Sequence, residues 1–361
     1  MSVDPDLEGW LWLALIDGVG GQTLRRLLSA FGAPDQVRAA RHAELAHVAG
    51  PILASAIKQG PDPKALDAAL AWLGAAGNHL VTLADADYPK LLLQTADPPP
   101  LLFLKGRRDL LNRGALAIVG SRNATPAGIA DTQAFARALS DAGLCIVSGL
   151  AVGIDAAAHR GALQGVSSSI AVVGTGLDIV YPARNRALAH QLAEQGTLIS
   201  EFALGTPPLS GNFPRRNRII SGMCRGCLVV EAALSSGSLI TARLAVEQGR
   251  EVFALPGSIH SPLSKGCHAL IKQGAKLVDD VRDILDELGM GTQPAAPSAP
   301  AAPLAPPLQG LLDQMGFEPC DLDTLCLRAG LTSAAATAML LQLELDGVVG
   351  TLPGGRFQRL R

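Results

Sequence analysis

"LCIVSGLAVGIDAAAH", residues 144–159, runs from an apolar stretch through a glycine-bearing turn into a helix-forming segment. No polar residue alternates within Leu144–Val147, so both faces of the strand it predicts must be covered. Strands of that kind, each feeding a helix, build a parallel sheet with helices on both sides. The same texture returns in "LAIVGSR" (116–122), "SIAVVGTG" (169–176), "TLISE" (197–201), "CLVVEA" (227–232) and "EVFALPG" (251–257). Helical periods fill most of the gaps, as at Ala127–Ala142 and Leu239–Gln248. The expected fold class is therefore α/β, with a central Rossmann-like parallel-sheet domain over residues 77–289.

"GTQPAAPSAPAAPLAPP" (291–307) has no charge and no apolar period, and is expected to be an extended Ala/Pro spacer over 290–307. Residues 308–361 promise helix, helix, a longer helix capped by Thr332 or Ser333, then two short strands around a Pro-Gly-Gly turn. That order is a winged-helix domain. In residues 1–76, "LIDGVGGQTLRRLL" (15–28) and "LAHVAGPILASAI" (45–57) align with Gly20 over Gly50. The pair suggests a helix-hairpin-helix or SAM-like domain, whose turns can offer N–H groups to phosphate. A plain helical bundle with glycine turns is the other reading, and Lys58 is the only cation near the second hairpin.

The totals narrow the partners. The 361 residues carry 30 Lys+Arg against 32 Asp+Glu, a formal charge of −2, so any polyanion must be met by a local patch. Of the six cysteines, only Cys224 and Cys227 form a CxxC, and no second pair completes a four-ligand zinc site. The acidic start "MSVDPDLEGW" lacks a signal peptide's basic end, and no apolar run is long enough to span a bilayer. A reduced cytoplasmic protein without metal, cofactor or membrane insertion is expected.

In an open parallel sheet ligands sit beyond the carboxyl ends of the strands. The turns there are rich in Gly and Ser at helix starts, where free N–H groups favour anions. They place Gly120, Ser121 and Arg122, then Ser148 and Gly149, then Asn185, and finally Gly237 and Ser238 on one edge. None holds the P-loop lysine signature, and "GTGLDI" lacks the third glycine of a dinucleotide fingerprint. The densest feature is "NFPRRNRII" (212–220), with Phe213 just ahead of a helix expected from about residue 215 to 220 that carries Arg215, Arg216, Asn217 and Arg218. Arginines beside a ring suit single-stranded nucleic acid, the phosphates meeting guanidinium groups and a base lying on the ring. Salt bridges, for instance Arg218 to Glu201 or Glu231, are the structural alternative. Asp155 and His159 share a helix face, as an acid–base pair or as an i,i+4 hydrogen bond with a capping role. No catalytic residue is assigned.

Six motifs in fixed order, "IVGSR", "SGLAVGIDAAAH", "YPARN", "GTPP…NFPRRNRIISG", "VVEAALSSGSLITARLA" and "REVFALPG", resemble the DNA-processing protein A (DprA, or Smf) family over roughly residues 80 to 288. The resemblance implies a non-enzymatic homodimer that binds single-stranded DNA, protects incoming strands in natural transformation and loads the RecA recombinase. It implies Arg122 as the main phosphate contact, with Phe213 and Arg215, Arg216 and Arg218 as stacking and basic residues. Ala127 stands where many relatives have an aromatic. The third helix of the C-terminal unit has no Arg or Lys over 332–346 but has Glu344 and Asp346, so a protein-contact or weak auxiliary module is expected there. The rival is a nucleotide phosphoribohydrolase-like enzyme. Against it, Thr241, Ala242 and Arg243 occupy the positions where that chemistry needs a glutamate.

Overall fold

The computed structural model describes residues 5–291 and 304–360. Most of the expected spacer, 292–303, and the chain's first four residues lie outside that range.

Six helices come first: α1 (Pro5–Ala14), α2 (Gly21–Phe31), α3 (Pro34–Ala39), α4 (His42–Ala49), α5 (Pro51–Gln59) and α6 (Pro63–Leu73). Their apolar faces do not close on themselves. Trp10, Leu11, Leu27 and Leu45 share one core with Phe103, Ala171 and Leu198 of the sheet, so the helical unit is packed onto the sheet.

The strands are β1 (Asn78–Thr82), β2 (Leu101–Gly106), β3 (Ala115–Gly120), β4 (Cys145–Ser148), β5 (Ser169–Val172), β6 (Thr197–Ser200), β7 (Gly226–Val230), β8 (Glu251–Ala254) and β9 (Lys276–Leu277). Between them run α7 (Lys90–Leu93), α8 (Pro126–Asp141), α9 (Ile154–Leu163), α10 (Arg186–Gln195), α11 (Asn212–Gly222), α12 (Ser238–Glu247), α13 (Lys265–Lys272) and α14 (Val281–Glu287). The sheet order is β1-β2-β6-β5-β4-β3-β7-β8-β9. From β6 to β9 every pairing is parallel. The expected all-parallel sheet is corrected at one edge, where β1 pairs β2 and β2 pairs β6 antiparallel. Period-two alternation distributes β3 between both faces: Leu116 and Ile118 join the core under α8 and α9, while Ala117 and Val119 join the opposite one. The chain order reverses beside β3, where β4 lies on one side and β7 on the other, so ligand-facing turns gather at that end.

The knot at 212–220 is a longer helix than the arginines alone suggest. α11 begins at Asn212, and Pro214 is accommodated in its first turn, where its missing N–H would have had no helical partner anyway. The C-terminal unit comprises α15 (Pro306–Met315), β10 (Cys320–Asp321), α16 (Leu322–Ala329), α17 (Ser333–Leu345), β11 (Val349–Leu352) and β12 (Arg356–Arg359). Thr332 caps α17 by accepting the Ala335 N–H at 3.3 Å. β10-β12-β11 is the small sheet of a winged helix, closed over Leu311, Leu325, Leu340 and Leu343. Among the described residues no single helix is long and apolar enough to cross a membrane.

Candidate nucleic-acid interface

The turn after β3 presents Arg122 to solvent. Among the described residues it has no acid and no hydrogen-bond partner. Behind it, the Ile154 N–H donates to the Ser121 carbonyl at 3.1 Å, which fixes the turn against the start of α9. Gly153 makes that contact possible: its φ is +79°, and a Cβ would fall 2.2 Å from Ser121 O. Ser121 itself is buried, and its Oγ accepts the Asn123 N–H. Gly120 has backbone pressed against Val230. Within this turn, then, the side chain free to meet a ligand is the arginine.

The turn after β4 differs from expectation. Ser148 is buried and donates to Ile118 O at 2.6 Å, and the N–H groups of Gly149 and Ala151 point to Asp155 Oδ2 at 3.2 and 3.3 Å. Those N–H groups are therefore occupied from within. Leu150 is held at φ 58° in the left-handed region, a costly conformation for a branched side chain that the surrounding bonds impose. Asn185 is also a structural residue, buried with Nδ2 donating to Leu150 O at 2.9 Å and Ala151 O at 3.2 Å. Ser148 and Asn185 both turn inward, and their side chains hold the loop.

Arg216 is the most deeply buried cation of the knot. Only 5% exposed, it donates to Val172 O, and its guanidinium lies so close beneath Gly149 that a Cβ there would meet Nη1 at 2.1 Å. Burial pulls its pKa down to about 10, the Asp155 charge opposing the fall and Arg122 adding to it. Asp155, buried too, is pushed up by desolvation against the pull of Arg216. Arg216 is thus a cation under the loop rather than on its surface. Asp155 and His159 face different partners. His159 Nδ1 lies 2.7 Å from Ser169 Oγ, and burial lowers its pKa to about 3.

Arg218 follows the salt-bridge alternative. It pairs with Glu201, donates to Asp97 O, and keeps Nε 3.2 Å from Asp97 Oδ2, within ion-pair range but too bent for a hydrogen bond. Asp97 also takes Arg25 of α2, which ties the helical unit to α11. Arg215 shares the same Glu201 oxygen at 3.1 Å and lies 5.4 Å from the Phe202 ring centre, yet half its side chain stays exposed. Two arginines of the knot, Arg215 and Arg218, thus pair with carboxylates, and the third, Arg216, donates to a backbone carbonyl, which the count of cations in "RRNR" concealed. Asn217 is half-buried on the same helix.

Phe213 packs over Gly174, and its ring centre is 5.5 Å from that of Tyr181 with a 36° tilt. Tyr181 is 47% exposed. Phe213 is thus the half-buried member of a two-ring platform whose outer face is Tyr181. Sequence reasoning passed over Tyr181, and over Arg184 and Arg186, which flank the inward Asn185, stand exposed and have no partner among the described residues. The signal was present in "YPARNR": where one polar side chain of a tight turn points inward, its neighbours point out. Gly237 lies open at the start of α12, and Ser238 is buried with its Oγ 2.7 Å from Ser236 Oγ.

Among the described residues no three His, Cys, Asp or Glu side chains come together as a metal site. Cys224 and Cys227 are buried, and burial pushes both thiols up, Cys227 to about 12. Thr241 and Ala242 point into the core of α12.

Residues 79–289 match the family model for DNA recombination-mediator protein A, and residues 294–355 match that for the DprA winged helix domain. The chain is 45% identical over 306 residues to Protein Smf of Escherichia coli, covering 82% of each. It is 48% identical over 206 residues to the DNA processing protein DprA of Streptococcus pneumoniae, covering 57% of this chain and 73% of the relative. Among solved structures, DNA processing protein A from Streptococcus pneumoniae superposes with TM-score 0.70 at 38% identity, covering 80% of this chain and 99% of that one. The Helicobacter pylori DNA processing protein A, described for its unique single-stranded DNA binding mode, gives 0.53 at 31% identity over 58% of this chain and 95% of its own.

Proposed function

The chain belongs to the DNA recombination-mediator protein A family, and from that premise we propose that it binds single-stranded DNA along the carboxyl edge of its sheet. One observation carries the reading: unpartnered Arg122, Arg184 and Arg186 share that edge with the Tyr181–Phe213 rings. Guanidinium groups take phosphates, and exposed ring faces take unpaired bases, which a duplex keeps stacked away. Buried Arg216 beneath Gly149, and Asp155 accepting the Gly149 and Ala151 N–H groups, support the loop on which the edge is built.

The same proposal extends to the cellular role. The bound strand is an incoming one, shielded and handed to the RecA recombinase by a homodimer, without catalysis. Cysteines that are all free suit a reducing cytoplasm. The domain limits proposed are 1–76, 77–289, 290–307 and 308–361.

A competition titration tests the core of this. A labelled dT oligomer should bind with a log–log salt slope of about −0.7 per phosphate contacted and be displaced poorly by duplex of equal length. Equal displacement by duplex would end the reading. Incubation with AMP and NAD should leave both intact, and steady release of base would favour the hydrolase instead. RecA filament growth on strands precoated with this protein tests the hand-over.

A further inference from the structure

The C-terminal unit does not stand clear of the sheet domain: β11 and β12 lie against α8. The contact is close at Gly350, where a Cβ would fall 2.8 Å from Pro126 Cβ. Pro126 opens α8, and beside it Ala127 and Ala130 are small and partly covered. That seat adjoins the proposed DNA edge, because four residues of chain, at most about 14 Å, separate Pro126 from Arg122. The unit brings the wrong charge for a DNA reader. Residues 304–360 hold six carboxylates against three arginines. One of those carboxylates, Glu344, accepts from Thr351 Oγ1 at 2.8 Å, next to the seated Gly350.

We propose that the first turn of α8 is a docking surface for the chain's own winged unit, and that the docked unit restricts access to the Arg122 turn. The proposal rests on the single-strand reading of that edge. A strand that continues from Arg122 past Pro126 meets the seated wing, so binding and docking compete.

The test uses the full chain with Pro126→Cys and Gly350→Cys together. Cβ atoms this near need to part only slightly to reach disulfide spacing, and Cys326 is the one native thiol not buried. Mild oxidation should close an intramolecular bond that neither single variant forms. The oxidised protein should bind a dT oligomer about tenfold more weakly than the same protein after reduction, a change of the size local charge focusing produces. Gly350→Trp, which wedges the seat open, should bind more tightly than the unaltered chain. Failure of the bond to form, or equal affinity of oxidised and reduced protein, overturns the proposal. Failure of the reduced and unaltered proteins to bind any single strand overturns instead the reading of the edge, while the yield of the bond still reports on the seat.

Discussion

Arg122 stands exposed after β3 with no acid beside it among the described residues, while Arg216, reached through α11, lies under Gly149 with Asp155 as its counter-charge. Both belong to the same end of one sheet, close enough for the charge of one to depress the pKa of the other. They differ in what the surrounding chain offers them. The β3 turn is short, and its backbone is used up against α9, so its side chain can only project outward. α11 runs along the sheet, and at position 216 its side chain has nowhere to go but beneath the loop. A cationic motif is therefore a set of separate electrostatic problems, some solved by the protein itself and some left for a ligand.

The largest expected effect falls at Arg216. Arg216→Met removes the buried hydrogen bond to Val172 O and the cation whose charge favours ionised Asp155, and should cost about 1–3 kcal/mol of stability, read as the shift in a urea unfolding midpoint. Adding Asp155→Asn should recover part of that loss, since no lone charge then stays inside. A change below about 0.5 kcal/mol, as for ordinary surface sites, would put Arg216 on the surface after all.

Arg122→Ala should do the reverse. Stability should hold within about 0.5 kcal/mol, while affinity for a dT oligomer falls by about 1.5–3 kcal/mol, the worth of a charge-assisted hydrogen bond. The log–log salt slope should shallow by about 0.7. Tyr181→Ala separates stacking from charge: a loss of about 1–3 kcal/mol in affinity is expected with the salt slope unchanged. A changed slope would mean the ring acts only by holding Arg184 or Arg186. The smallest effect belongs to the wing. Arg356→Ala should alter single-strand affinity by less than about 0.5 kcal/mol.

The winged helix and α8 show why local sequence went far here. Helix starts at Thr125 and Thr332 are set by a side chain three residues from the N–H it accepts, and strand positions by continuous apolar runs; both are nearest-neighbour physics. The antiparallel β1–β2 edge escaped because strand direction depends on where a chain returns, not on what it contains. Tyr181, Arg184 and Arg186 escaped because they sit in a turn whose inward residue, Asn185, drew attention by being polar.

From its residues alone the chain determined the alternation of strands and helices, the glycine turns at the strand ends and the winged unit. Each of those follows from apolar periodicity, capping or a φ that only glycine tolerates, all properties of short stretches. Tertiary structure alone decided which arginines face water. That choice depends on acids distant in the chain, Asp97, Asp155 and Glu201, and on the cost of removing a guanidinium from solvent unless such an acid is waiting for it.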